Sequence, residues 1–277
     1  MKPYLTIAMQ EIRMGMRNYW VLAISGLMAM LALAISMLGS APIGLLDVDA
    51  LTLSTASLSS LSIFLVPLIA LLLSYDALVG EVEQGTMLLL LSYPISRMDV
   101  VVGKFIGQSS IIAFATIFGY GLSGVITALS QDILPPDSAW WALFELVLSS
   151  VVLGAIFIAL GLVCSSVSRN RGMAAGAVVI LWLFFVIIFD LLLLGSLVSG
   201  FDEVVSREVF SSLLLANPTD IFRMINMEGI SGSGIVGGMA ELSAGSALSS
   251  SVLWSSMVAW CAIPLMLSAF MFKRRDI

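Results

Sequence analysis

An all-α integral membrane fold with six transmembrane helices is predicted from three observations. Of 277 residues, 60% are hydrophobic and 11% charged; mean hydropathy is +1.08, far outside the soluble range. Apolar runs recur at the length of a bilayer crossing, about 20 residues each. The basic residues gather in alternate connections between those runs, as the positive-inside rule requires of a chain that weaves through a membrane.

The runs lie at Trp20–Leu38, Leu58–Leu78, Phe105–Leu129, Ala142–Cys164, Met173–Val198 and Val252–Phe272. Lys2, Arg13, Arg17, Arg97, Lys104, Arg169, Arg171, Lys273, Arg274 and Arg275 fall on one side, ten of the twelve basic residues, and Arg207 and Arg223 on the other. That assigns both termini to the cytoplasm and places the chain in an inner membrane. Ahead of the first run, Leu5, Ala8, Met9, Ile12 and Met16 recur at helical spacing opposite Lys2, Gln10, Arg13 and Arg17. The spacing predicts an amphipathic helix over residues 1–18 lying flat on the inner leaflet, rather than a secretory signal. Trp140 and Trp141 mark the outer interface at the start of the fourth span.

Composition also excludes chemistries. With no histidine, imidazole metal sites and Ser-His or Cys-His nucleophile pairs are absent. Cys164 and Cys261 lie in apolar runs, so neither a disulfide framework nor a zinc cluster is indicated. Sixteen methionines suit Cu(I) chemically, but their spacing shows no ligand pattern and most are explained as core packing. No metal site is assigned, nucleic acid is not implied, and the chain is read as non-catalytic. One permease domain spanning residues 1–277 is expected.

The connection of residues 79–104, between the second and third spans, is too long for a turn. Glu81 and Glu83 bring negative charge to a helix exit, Gly85 and Thr86 supply a break and a cap, and Met87–Leu91 resumes an apolar run. Pro94 disfavours helix at Tyr93 but opens a new turn, so Ile95–Val101, with Ser96 and Arg97, is expected to form a short helix displayed on the cytoplasmic side. The fifth span contains Asp190, a carboxylate that is costly in hydrocarbon unless protonated, paired or close to water. In the last outer connection, residues 200–250, helical apolar spacing over Glu208–Met227 is broken at Asn217-Pro218, and a Gly/Ser-rich stretch follows. Two short helices there, with Asn217, Pro218, Asp220 and Arg223, are expected to form a ledge over the outer mouth.

The stretch GEVEQGTMLLLLSYPISRMDVVVGKF resembles the signature region of type-2 ABC exporter permeases, and SYDALVGE and LLLANPTDIFRMINM extend the resemblance along the chain. The helix before the first span resembles that family's elbow helix, and FKRRDI its basic end. The resemblance implies a homodimer bound to two copies of a cytoplasmic ABC ATPase subunit. Glu81, Glu83, Gly85, Thr86, Pro94, Ile95, Ser96 and Arg97 would then form the coupling element that docks on the ATPase. ATP and Mg2+ belong to that partner, in keeping with the lack of a GxxxxGK[ST] loop here. Within the family the resemblance points to permeases serving assembly of the copper site of nitrous oxide reductase. There Asn217, Pro218, Asp220 and Arg223 would meet a periplasmic β-helix accessory protein. Export of a drug, lipid or peptide, and a scaffold that moves no solute, are the competing readings.

Overall fold

In the computed structural model, the structure describes residues 3–17, 26–27, 30–31, 33–34, 49–130, 134–198, 212–228 and 249–275. The described elements are helical: α1 (Pro3–Arg17), α2 (Ala50–Ser74), α3 (Val79–Glu83), α4 (Thr86–Leu91), α5 (Arg97–Leu129), α6 (Asp137–Val167), α7 (Arg171–Leu183), α8 (Phe189–Val198), α9 (Pro218–Glu228) and α10 (Ser250–Arg274). A π-helical turn, Phe184–Ile188, joins α7 to α8 without a break. Five stretches are long and apolar enough to cross a membrane: Ala50–Glu83, Arg97–Leu129, Asp137–Val167, Arg171–Leu193 and Ser250–Arg274. They correspond to the second to sixth expected spans. The greater part of the first, Trp20–Leu38, and of the connection 200–250 lies outside the described residues.

Local chemistry explains where these helices begin. Asp49 caps α2 by accepting from the Thr52 N–H at 2.9 Å, so the helix starts well before the expected Leu58. The Ser/Thr-rich first half of α2 survives in an apolar setting because its hydroxyls bond within the helix: Thr55 donates to the Leu51 carbonyl at 2.8 Å and Ser62 to Leu58 at 2.6 Å. Ser96 and Asp99 form a reciprocal capping box that starts α5, and Asn170 caps α7 through the Met173 N–H.

The centre of the bundle is α6, which packs against α2, α5, α9 and α10. Leu146, Leu153, Ile156, Phe157, Ile158 and Leu162 are fully buried around its circumference, the pattern of a helix enclosed on all sides. Close approach there relies on small residues: a Cβ on Gly154 would lie 2.6 Å from Ile112, and one on Gly161 would overlap Ser74. By contrast, α7 buries only Ala174 and Val178 and presents Val179, Ile180 and Leu183 outward. The amphipathic helix α1 lies against α5, its buried Ile7 and Ala8 meeting the backbone at Gly103 and Gly107.

Candidate functional site

The expected coupling region takes a different path from the one read in the sequence. After α2 the chain turns through Tyr75–Leu78, and the N–H groups of Leu78 and Val79 donate to Ser165 Oγ at 3.0 and 3.1 Å. Gly85, at φ 71°, then reverses the chain in a conformation that disfavours other residues. The short displayed helix is α4, which precedes Pro94. Ile95–Val101 is not a separate helix: the Ser96 capping box starts a helix at Arg97 that continues unbroken to Leu129, with Val100 and Val101 buried. Met87 anchors α4 in the core, while Leu88, Leu89 and Tyr93 are exposed at 58%, 69% and 66%. These three apolar residues form a surface that charge-based reading of the loop passed over; helical spacing around buried Met87 was the available signal.

Beneath that surface the charged residues turn inward. Lys104 is buried and donates to Glu11 of α1 and Glu81 of α3, both at 2.6 Å. Glu83 accepts from the Arg171 backbone N–H at 3.0 Å and faces its guanidinium at 3.4 Å, and Arg171 also donates to the Gly80 carbonyl at 3.1 Å. Arg97 donates to the carbonyls of Phe272 and Lys273 at 3.0 and 3.2 Å, closing the C-terminal end of α10. Arg275 in turn donates to the Ser165 and Ser166 carbonyls, at the end of α6. Glu81, Glu83 and Arg97, expected in the coupling element, bind helix ends to one another. Of the expected set, Glu83, Gly85, Thr86, Pro94 and Ser96 stand exposed, and Glu81, Ile95 and Arg97 are half-buried.

At the opposite end, Asp190 and the NPTD segment form one cluster. Arg223 donates to Asp190 Oδ2 at 2.6 Å and to Asp220 Oδ1 at 2.9 Å. Asn217 donates to the other Asp220 oxygen and to the Phe185 carbonyl, both at 3.0 Å, and Thr219 donates to the same carbonyl at 3.1 Å. Phe185 lies in the π turn, where the lengthened ladder leaves a carbonyl for outside donors. Burial pushes the Asp220 carboxyl up to about 7, with Arg223 opposing that shift and Asp190 adding to it.

Of the expected ledge, only residues 212–228 and 249–250 are described, and its centre is buried. Asn217, Pro218, Thr219 and Asp220 are buried, and α9 packs on α2, α6 and α10, with Asn226 bonded to Ser149 at 3.0 Å. Ser149 lies twelve residues into α6, ~18 Å along its axis. Non-helical backbone is tolerated at such depth only where protein covers it, and the donors of Asn217, Thr219 and Trp260, the last to the Leu215 carbonyl at 3.0 Å, provide that cover.

An apolar helical bundle, a displayed apolar helix clamped to the span ends and a basic rim define an integral membrane protein. The chain belongs to the ABC-2 transporter family: the pattern described as "ABC-2 family transporter protein" matches residues 5–277. More particularly, it is similar to the probable ABC transporter permease protein NosY of Stutzerimonas stutzeri, 42% identical over 269 residues, 97% of each chain. The protein of the same name from Pseudomonas aeruginosa is 41% identical over 273 residues, 98% of each chain. The chain is an ABC transporter permease.

Proposed function

We propose that this permease couples ATP hydrolysis by a separate cytoplasmic ATPase to force transmission or transport toward the periplasm, in maturation of the copper site of nitrous oxide reductase. The observation that carries the reading is the exposed apolar surface of Leu88, Leu89 and Tyr93, mounted on a base that Lys104, Arg171 and Arg97 tie to four other helices. A load on α4 then moves α1, α5, α7 and α10 together, since ion-paired and packed elements shift as units. In this reading the basic end is cytoplasmic, α1 is an elbow helix in the inner headgroup layer, and two copies of the chain hold two ATPase subunits that carry ATP and Mg2+. The periplasmic accessory protein meets the segments flanking α9, while Asp220, Arg223 and Asp190 join those segments to the spans.

Replacing Leu88 and Leu89 together by Asp tests the coupling surface. Apolar anchors at an interface centre contribute about 2 kcal/mol or more each, so ATPase co-purification is expected to fall at least tenfold while thermal unfolding of the permease in detergent is unchanged. Full retention of the ATPase by the double variant would place the docking surface elsewhere. Flux measured in reconstituted vesicles separates transport from force transmission: ATP-dependent cargo movement supports the first, ATP turnover with partner remodelling and no flux the second.

A further inference from the structure

Along α10, Ala259, Ile263, Leu267, Phe270 and Arg274 recur at steps of three and four residues, with Met266 beside them. That spacing places them on one face of the helix. All six are exposed, so the bundle leaves this face uncovered. A groove of about 280 Å3 indents it, lined by Leu215, Ser256, Ala259, Trp260, Ile263 and Pro264. The Trp260 N–H is spent on the Leu215 carbonyl at 3.0 Å, which leaves the indole ring as an apolar wall.

The foot of the same face is cationic. Arg274 lies over the Phe270 ring, 4.2 Å from its centroid. Stacking occupies a face of the guanidinium and leaves the N–H donors at its edge for an anion. Lys104, Arg171 and Arg223 each pair with a carboxylate, whereas Lys273 and Arg274 are exposed and have no carboxylate partner among the described residues. The stretch KRRD carries three cations to one carboxylate, and Arg275 is drawn instead to the Ser165 and Ser166 carbonyls.

Depth favours a lipid over a soluble anion or a protein. Pro264 and Arg274 are ten residues apart on one helix, ~15 Å along its axis. That is half of the ~30 Å hydrocarbon core. A lipid held at Arg274 by its headgroup therefore ends its chain at the near edge of the groove. We propose that this face binds an anionic phospholipid of the leaflet at the basic end, its phosphate held by Lys273 and Arg274 and one acyl chain laid along Phe270, Leu267 and Met266 to the groove at Ile263 and Pro264. A zwitterionic lipid presents the same phosphate but brings its own cation beside it, so the two free cations select a headgroup of net negative charge.

Native mass spectrometry of the full chain, delipidated in detergent and titrated with phosphatidylglycerol or phosphatidylcholine, tests the site. Phosphatidylglycerol is expected to be retained about tenfold better, the order of difference that two interfacial cations make. Lys273→Gln and Arg274→Gln together should bring it down to the level of phosphatidylcholine. Ile263→Trp, which overfills the near edge of the groove, should lower retention of both lipids about tenfold and leave their ratio unchanged. The three substituted residues are exposed, so the variants leave the core intact. Equal retention of the two lipids by the wild-type chain overturns the proposal, as does wild-type retention of both by Ile263→Trp. If the Gln double variant keeps its phosphatidylglycerol preference but loses the ATPase on co-purification, the cations belong to a protein interface and the lipid site is overturned. A dimer that Ile263→Trp splits with no loss of lipid gives the face to a second copy of the chain and overturns it equally.

Discussion

Lys104 and Arg223 occupy matching situations at opposite ends of the bundle: each is a single cation between two carboxylates, at 2.6 Å from both Glu11 and Glu81 in one case and at 2.6 and 2.9 Å from Asp190 and Asp220 in the other. The Lys104 side chain is 3% exposed and draws on three elements, α1, α3 and α5. Arg223 is 21% exposed, and one of its partners is three residues away on its own helix. The first cation joins separate pieces of chain into a platform. The second seats one short helix against a π turn, with Asn217 and Thr219 supplying neutral hydrogen bonds alongside it. Removing a charge should therefore cost more at the basic end, where the cation is buried and its two carboxylates come from two other elements.

The largest effect is expected for Lys104→Met, which leaves two carboxylates at a buried site without their cation. A loss of about 3–5 kcal/mol follows, read as a lowered thermal transition in detergent. Adding Glu11→Gln and Glu81→Gln should restore much of it. If the single substitution is neutral, the platform is held by packing alone.

Arg223→Met is expected to cost less, about 2 kcal/mol, because the Arg223 side chain is itself 21% exposed and Asn217 still bonds Asp220. Combined with Asp190→Asn, part of that loss should return. A cost equal to that of Lys104→Met would remove the contrast between the two ends. Gly103→Val tests packing rather than charge. Even a Cβ there would lie 2.7 Å from Ile7 and 2.8 Å from the Tyr4 carbonyl, so α1 must shift, at a cost of about 1–3 kcal/mol.

The smallest effect is in pH dependence. Because burial raises the Asp220 carboxyl from 3.8 to about 7, the folded chain holds a proton there that the unfolded chain releases. That contribution to stability is complete below pH 3.8 and is lost as pH rises through about 7. Asp220→Asn keeps the neutral form at every pH. The stability difference between variant and wild type should therefore widen in the variant's favour between pH 4 and 7. A difference that stays flat over this interval would show that the carboxyl is ionised throughout.

Much of the architecture was legible in the residues. The second to sixth apolar runs coincide with helices, because a run of about 20 apolar residues has few ways other than a helix to satisfy its backbone away from water. The breaks at Gly85 and at Asn217-Pro218 were also readable, since each follows from a local backbone restriction. The candidate sites were legible only in outline. The ion pairs and hydrogen bonds of Glu81, Glu83 and Arg97 could not be read locally because their partners, Lys104, Arg171 and the carbonyls of Phe272 and Lys273, come from other helices. Asp190 likewise looked isolated, since Arg223 is 33 residues away.

The sequence by itself determined that this protein is a helical membrane permease with a basic end, because span length, hydropathy and charge are sums over neighbouring residues. Only the tertiary structure decided which helix is displayed, that Asp190 is paired, that the NPTD segment is buried, and that Leu215 and Trp260 line one groove. Those outcomes depend on which helix faces lie together, and a contact between distant residues leaves no mark in the local pattern of either.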